Sequence, residues 1–561
     1  MNQNQTVLHV FYNDLVSTRY RKNMFQTWMN VLAMFGGLTG LFVGFSLVTG
    51  YEIISDCTST ATMKKDIYNP QKLFMLFWKS TFVTWIKSRL VIFCTNTASH
   101  GFPYFIRTGY SKIEKTFWVV VVVICSMFAV LLVWYSLFLS SATPTVTLVE
   151  STHYPTYKIP FPGVTVCNVN KISKKAIVAF AKKLKNPIPN ATEDDTLELL
   201  KQLNGYIQLK TDYGDRFDDL NKLLAFNKLK IENVMATLMP ECDKTIEKCF
   251  WLGTEVRCDA FFESTVTFLG NCCSFNYVGL KSYRNSSRRA KSSILQEAKL
   301  VTASGPLNGL TIVLNPLVDD YFFSTFKMKG FRVIVHDSYD FPELNSPNVF
   351  VQHDYVARVG INPESTYSKD EIYSKDIMLR LCYSDSEIRL NVMQRYSYIN
   401  CMVECRRLIA FKLCGCVPYN YPRNGSLPIC DAVQQRCIIR NFETINDVNP
   451  LINESLNFMP ELPFSSSSCH CLPPCKYYQY QAVSFHGRIK YNQSVRTQKY
   501  LRGIETQNKS IVHVYYTDIV TTVYRRDMYL NWMSVVAMFG GLTGLFMGLS
   551  LLNVFEFNVK R

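Results

Sequence analysis

Met538–Ser550 reads MFGGLTGLFMGLS, and Met34–Ser46 reads MFGGLTGLFVGFS. The likeness runs outward from there: Val7–Glu52 set against Ile511–Glu556 gives 26 identities in 46 positions, more than shared composition produces. One segment has been copied. Each copy holds more than 20 consecutive uncharged residues rich in glycine, so each reads as a membrane-spanning helix that packs against other helices.

Phe117–Leu139 is a third uncharged run, of 23 residues; at 1.5 Å per residue it reaches about 34 Å, enough for a hydrocarbon core of about 30 Å. Three segments therefore have the length to span. An apolar fraction of 48% and an aromatic fraction of 14% over 561 residues fit a membrane protein with a sizeable folded domain. The net charge of +16 admits a nucleic-acid partner, but no reading motif accompanies it, and none is expected. Nine Lys and Arg against three acids lie between Ser55 and Thr116, which places that loop in the cytoplasm by the positive-inside rule. The chain opens polar (MNQNQTVLHV) with no signal peptide, so insertion falls to the membrane helices themselves. Leu73–Phe93 is apolar but carries Lys79, Lys87 and Arg89, and reads as an interfacial amphipathic helix on the inner leaflet.

These readings divide the chain into a copied segment (1–56), a cytoplasmic segment (57–116) and a first membrane helix (117–139). An outer domain (140–530), a terminal membrane helix (531–556) and a short inner tail (557–561) follow. Of 19 cysteines, Cys57, Cys94 and Cys125 precede the outer domain. The other 16 are Cys167, Cys242, Cys249, Cys258, Cys272, Cys273, Cys382, Cys401, Cys405, Cys414, Cys416, Cys430, Cys437, Cys469, Cys471 and Cys475. An even, dense set in one stretch reads as a disulfide framework in an oxidising compartment, with a connectivity that sequence does not give. Asn190, Asn285, Asn424, Asn453, Asn492 and Asn508 head glycosylation sequons in the same stretch. His470 lies among cysteines but has no second histidine near it, which favours disulfides over a metal site; no metal or cofactor is expected. Strands at Gly163–Cys167, Leu310–Leu314 and Phe331–His336, with helices at Ile177–Lys185 and Thr196–Leu203, make the domain α+β.

Gly540, Gly541, Gly544 and Gly548 admit two readings. Gly544-x-x-x-Gly548 is an ordinary small-residue packing motif. Several chains converging at Gly548 and Ser550 would instead make a constriction whose carbonyls and hydroxyls replace a cation's water shell. Taken alone, packing is favoured.

The wider pattern decides between them. Gly540–Ser550 followed by Glu556 resembles the second membrane helix of the degenerin/epithelial sodium channel family. Phe93–Gly101 (FCTNTASHG) is similar to its cytoplasmic His-Gly motif, and Phe161–Asn168 (FPGVTVCN) to its early ectodomain strand. Gly270–Asn276 (GNCCSFN) resembles its mid-ectodomain signature, and Cys401 through Cys475 its thumb-region cysteine array. The five motifs fall in family order across Phe93 to Glu556. The approach YRRDMYLNW to the terminal helix resembles the insect pickpocket branch.

The resemblance implies a homo- or heterotrimer of related subunits in the lipid of the plasma membrane. Each subunit gives two membrane helices, and a hand-shaped ectodomain gates a sodium-selective, amiloride-sensitive pore whose permeant ion is sodium. By position, Gly548, Leu549 and Ser550 correspond to the selectivity filter and Gly544 to an amiloride contact. Ala537 falls where bulky substitutions hold family channels open. His100 and Gly101 correspond to a gating turn below the filter, and Glu556 to the inner mouth or a plain interfacial charge. Met538 stands where family members often carry aspartate, which puts calcium block and proton effects at the outer pore in doubt. Leu549 is a bulky middle filter residue, so conductance and sodium preference are open to difference. The N-terminal copy departs from the family pattern, and Met1 to about Ser55 reads as the tail of an adjacent duplicated gene joined to this one, by true fusion or by an error of gene assignment. No phosphate loop, nucleophile elbow or HExxH is present, so an enzyme is disfavoured. The alternative from another class is a non-conducting cysteine-rich surface receptor or an obligate auxiliary subunit.

Overall fold

The computed structural model describes residues 103–106, 109–142, 145–187, 192–207, 216–280, 297–324, 326, 328–343, 345–422, 427–447, 469–490, 499–504, 507–529, 535, 538–542 and 544. They fall into two compact units, one running from 147 to 526 and the other holding the residues on either side.

In the flanking unit, helix α1 (Lys112–Ala142) is 31 residues long. Ser111 and Glu114 start it reciprocally: the Ser111 N–H donates to Glu114 Oε2 at 2.7 Å and the Glu114 N–H to Ser111 Oγ at 3.3 Å, which satisfies two of the donors a helix start leaves open. Beyond Lys115 it carries no charge, and the Phe117–Leu139 run lies inside it. Among the described residues it is the one helix long and apolar enough to cross a membrane.

The larger unit begins with β1 (Thr145–Pro155), β2 (Gly163–Asn168), β3 (Asn170–Ser173), then helices α2 (Lys174–Ala181), α3 (Glu193–Leu200), α4 (Arg216–Phe226) and α5 (Ile231–Leu238). Next come β4 (Ile246–Trp251), β5 (Thr254–Val256), β6 (Phe262–Thr267), β7 (Gly270–Phe275), β8 (Leu310–Leu314), β9 (Tyr321–Ser324), β10 (Gly330–His336), β11 (Asn348–Gln352) and β12 (Tyr355–Ser368). Helices α6 (Tyr398–Cys414), α7 (Gln435–Arg440) and α8 (Phe442–Asn446) precede β13 (Tyr477–Arg488), β14 (Ser510–Tyr516) and β15 (Val520–Met528). The strands form an eight-stranded sheet in the order β1-β15-β12-β14-β8-β4-β5 with β13 on β12, a five-stranded sheet in the order β11-β10-β2-β7-β6, and the pair β3-β9. Alternation of strands and helices in one unit is the α+β arrangement expected.

The two larger sheets share a core that includes Phe161, Val166, Ile312, Val333, Val359 and Tyr516, all buried. Phe161 holds its centre, with ring centroids 5.2 Å from Trp251, 5.4 Å from Tyr516 and 6.2 Å from Phe275. Its carbonyl accepts from Asn276 Nδ2 at 2.6 Å and Ser338 Oγ at 2.9 Å, while the preceding Pro160 carbonyl accepts from the hydroxyls of Tyr480 and Tyr516 at 2.8 and 2.7 Å. The two sequence signatures Phe161–Asn168 and Gly270–Asn276 are thus one structural joint. It is locked by the Cys167–Cys272 disulfide.

The expected helices start and stop differently. Ile177–Lys185 is α2, which begins three residues earlier because Ser173 Oγ accepts from the Ala176 N–H at 3.0 Å and so caps the helix there. Thr196–Leu203 is α3 continued by a 3₁₀ turn over Lys201–Tyr206, and its start is a Thr192/Asp195 capping box. Hydroxyl caps, not the first apolar residue, fix both N-termini.

Candidate pore and ectodomain sites

The terminal helix is described over Met538–Leu542 and at Gly544, where the backbone is helical and Gly544 is buried. Met538 and Leu542, one turn apart, are 9% and 2% exposed and pack on Leu132 and Val133 of α1. At 100° per residue, Gly540 lies about 200° around the helix from Met538. A Cβ added at Gly540 would meet nothing within 4 Å. Gly540 therefore does not serve packing on α1. On α1 itself Val120, Ile124, Met127, Leu131 and Trp134 are each about half-exposed, a surface that fits lipid or neighbouring helices.

His100, Gly101, Ala537, Gly548, Leu549, Ser550 and Glu556 lie outside the described residues. The segment just after Gly101 is anchored: the Tyr104 ring stacks on Trp118 of α1 at 4.5 Å and 10°.

In the larger unit all 16 predicted cysteines are paired. The bridges are Cys167–Cys272, Cys242–Cys273, Cys249–Cys258, Cys382–Cys475, Cys401–Cys471, Cys405–Cys469, Cys414–Cys437 and Cys416–Cys430. Cys401 and Cys405 sit one turn apart on α6, a rise of about 6 Å, and bond Cys471 and Cys469, two positions apart in a segment that turns at His470, whose φ is 44°. The two bridges form a pair of rungs between one turn of α6 and that segment. Of the sequon asparagines Asn508 is described; it is exposed, and its N–H donates to Asp354 Oδ1 at 3.0 Å. The other five lie outside the described residues.

Side chains of α6 also join it to the loop that follows β10. In that loop Asn400 Oδ1 of α6 accepts from the Phe341 N–H at 2.9 Å and Asn400 Nδ2 donates to the Tyr339 carbonyl at 2.9 Å. Arg406 pairs with Glu343, both buried. Beside them burial, and then the neighbouring Asp337, push the Asp340 carboxyl up to about 7, and burial raises Asp337 as well. One acid group brought to neutral pH, Asp340, thus lies beside the contact between helix and loop.

A cavity of about 750 Å³ lies between α4, the start of α5, β6 and the Cys416–Cys430 loop, with apolar walls from Leu224, Ile231, Val266 and Ile429. Sequence reading did not find it, because its walls come from residues more than 200 positions apart and no local pattern marks them. Among the described residues no group of His, Cys, Asp and Glu could hold a metal ion.

A profile of the amiloride-sensitive sodium channel family matches residues 1–55 and 93–559. The chain belongs to that family. Pickpocket protein 11 of Drosophila melanogaster is 28% identical over 475 residues, 84% of this chain and 75% of that protein. The sodium channel protein Nach of the same species is 24% identical over 487 residues, 85% and 87% of the two chains. The bile acid-sensitive ion channel of Mus musculus is 22% identical over 488 residues, 83% and 85%. The chain is thus a pickpocket-like subunit of the degenerin/epithelial sodium channel type, and 147–526 is the disulfide-rich extracellular domain of a membrane channel of this family. The N-terminal copy matches the family profile as a separate segment, with 56–92 left out.

Proposed function

We propose that the chain is a pore-forming subunit of an amiloride-sensitive, sodium-selective cation channel gated by its extracellular domain. Three subunits, identical or related, surround the pore in the plasma membrane, each spanning it more than once. Gly548, Leu549 and Ser550 form the filter and Gly544 contributes to amiloride binding. Ala537, His100 and Gly101 set gating, with Glu556 near the inner mouth and sodium as the permeant ion. Conduction is electrodiffusion, and the chain performs no catalysis.

The observation that carries this reading is the orientation of the terminal helix. Met538 and Leu542 face α1, while Gly540 faces open space. The missing side chain at Gly540, on the side of the helix away from α1, permits a close approach by other helices there.

The test is whole-cell current from Ala537→Phe. Inward sodium current blocked by amiloride supports the reading. Silence despite surface expression, alone and with related subunits, overturns it in favour of a non-conducting receptor or auxiliary subunit.

A further inference from the structure

Lys174–Lys185 reads KKAIVAFAKKLK, five lysines and no acid. Ser173 caps α2 and sets its phase, so that Ile177 and Ala181 are buried while Lys174, Lys175, Lys182 and Lys183 are exposed. From Lys174 to Lys182 the chain rises about 12 Å. The fifth lysine, Lys185, is exposed and fixed against the end of α4: its N–H donates to Asn227 Oδ1 at 3.0 Å, and Asn227 Nδ2 donates to the Lys185 carbonyl at 2.8 Å. These two bonds set Lys228 and Lys230, both exposed, beside the run. Segments 42 positions apart thus make one basic surface.

Lys228 has a left-handed backbone, φ 53°, where α4 ends and the Leu229 N–H donates to the Leu224 carbonyl at 2.9 Å. Glycine is the residue that suits such a helix end, so the chain keeps a cation here at a cost in backbone strain. Among the described residues none of the seven lysines makes an ion pair, and acids of the neighbouring helices serve other groups. Asp195 of α3 closes the capping box and Glu198 pairs with Lys201. Asp218 and Asp219 of α4 pair with Arg436 and Lys222. Asp320 accepts from Ser173 Oγ at 2.5 Å and from the Lys175 N–H at 2.7 Å, which holds the start of α2 and leaves the Lys175 ammonium outside.

A concentration of positive charge without internal partners attracts a polyanion. Lysine-rich runs serve as nuclear addresses, nucleic-acid contacts or heparin contacts, and an extracellular domain leaves the last of these. Anionic lipid is enriched in the cytoplasmic leaflet, on the other side of the membrane. Lysine is a point charge on a flexible stem and lacks the fork with which arginine grips one carboxylate in two places. Seven such charges along a helix and the adjoining turn suit a long chain of repeated sulfates better than one acidic side chain.

We propose that the surface formed by Lys174–Lys185 with Lys228 and Lys230 binds a sulfated polysaccharide of the extracellular matrix. Each ammonium neutralises a sulfate and releases its condensed counter-ion, so binding weakens steeply with salt. The inference rests on the extracellular placement of 147–526 and is independent of whether the chain conducts.

The experiment is binding of labelled heparin to intact cells that make no sulfated polysaccharide of their own and express the full-length chain. Intact cells keep the basic cytoplasmic segments out of reach of the probe. The expected result is saturable binding above untransfected cells at physiological salt, with desulfated heparin and polyglutamate failing to compete. The triple variant Lys182→Gln, Lys183→Gln, Lys185→Gln, at equal surface level, weakens binding roughly ten-fold or more through the lost phosphate-like contacts to sulfate. Lys228→Gly weakens it as well while leaving surface level unchanged, since glycine suits the left-handed turn; this separates binding from folding. The triple variant Lys375→Gln, Lys476→Gln, Lys490→Gln removes the same charge from exposed positions elsewhere in the domain and keeps wild-type binding. Binding no higher than on untransfected cells overturns the proposal. So does equal loss in the two triple variants, which would make the effect one of net charge, or equal competition by polyglutamate, which would point to an acidic protein.

Discussion

The imidazole of His336 lies flat against the backbone of Gly163, so close that a Cβ there would stand 2.4 Å from the ring. The two residues face each other across the β2–β10 ladder. The space that glycine leaves lets His336 Nε2 accept from Thr165 Oγ1 at 2.8 Å while Nδ1 donates to the Asp337 carbonyl at 2.8 Å. Gly163→Ala therefore overpacks a buried joint and is expected to cost about 2 kcal/mol. Unfolding of the purified protein measures it, with Gly487→Ala as control, since a Cβ at Gly487 meets nothing within 4 Å. Equal stability of the two variants would refute the packing argument.

Two sets of buried groups make stability depend on pH in opposite senses. Burial holds His336 and His513 down to about 4, so each contributes stability above pH 6.5 that is lost as pH falls towards 4. Asp340 is raised to about 7. Its contribution is present below the unfolded value of 3.8 and is lost as pH rises from there to 7. Asp340→Asn should remove that loss. The stability of the variant relative to wild type should rise from pH 4 to 7 and then level, with a slope under the single-proton limit of about 1.4 kcal/mol per pH unit. Denaturant titrations at several pH values read it directly, and a flat difference would exclude Asp340 as the titrating group.

The rungs Cys401–Cys471 and Cys405–Cys469 pin α6 to the segment that precedes β13. Cys401→Ser, Cys471→Ser and the double variant should lose the same stability, about 2–5 kcal/mol, because each removes one bridge. Surface delivery and thermal unfolding both report it. A double variant much less stable than either single one would mean that the two cysteines are not partners.

How far the sequence could be read depended on the range of the interaction. Leu310–Leu314 is a strand by its β-branched run Thr311–Val313 between leucines, and the cysteines between Cys167 and Cys475 form disulfides by number and compartment. Both are properties of composition over short stretches. Pairing was closed to sequence because 16 cysteines admit too many connectivities, and the partners of Cys401 and Cys405 lie more than 60 residues away. The parallel pairing of β12 with β14 and β15 joins segments about 150 residues apart. Of the pore, the glycine pattern was legible as a motif, and the side of the helix on which Gly540 lies was not.

The same topology bears on the N-terminal copy. Val7–Glu52 repeats Ile511–Glu556, which in the domain comprises β14, β15 and the start of the terminal helix. β14 lies between β12 and β8, and the described residues supply one β12 and one β8. Both neighbours are thus already taken by β14, so the fold of the domain does not call for a second copy of its sequence. Protein beginning near residue 57 should fold, reach the surface and carry the Ala537→Phe current at wild-type amplitude. Recordings of the truncated and full-length forms side by side decide it. Loss of current on truncation, with surface expression intact, would make the copied segment a working part of the channel.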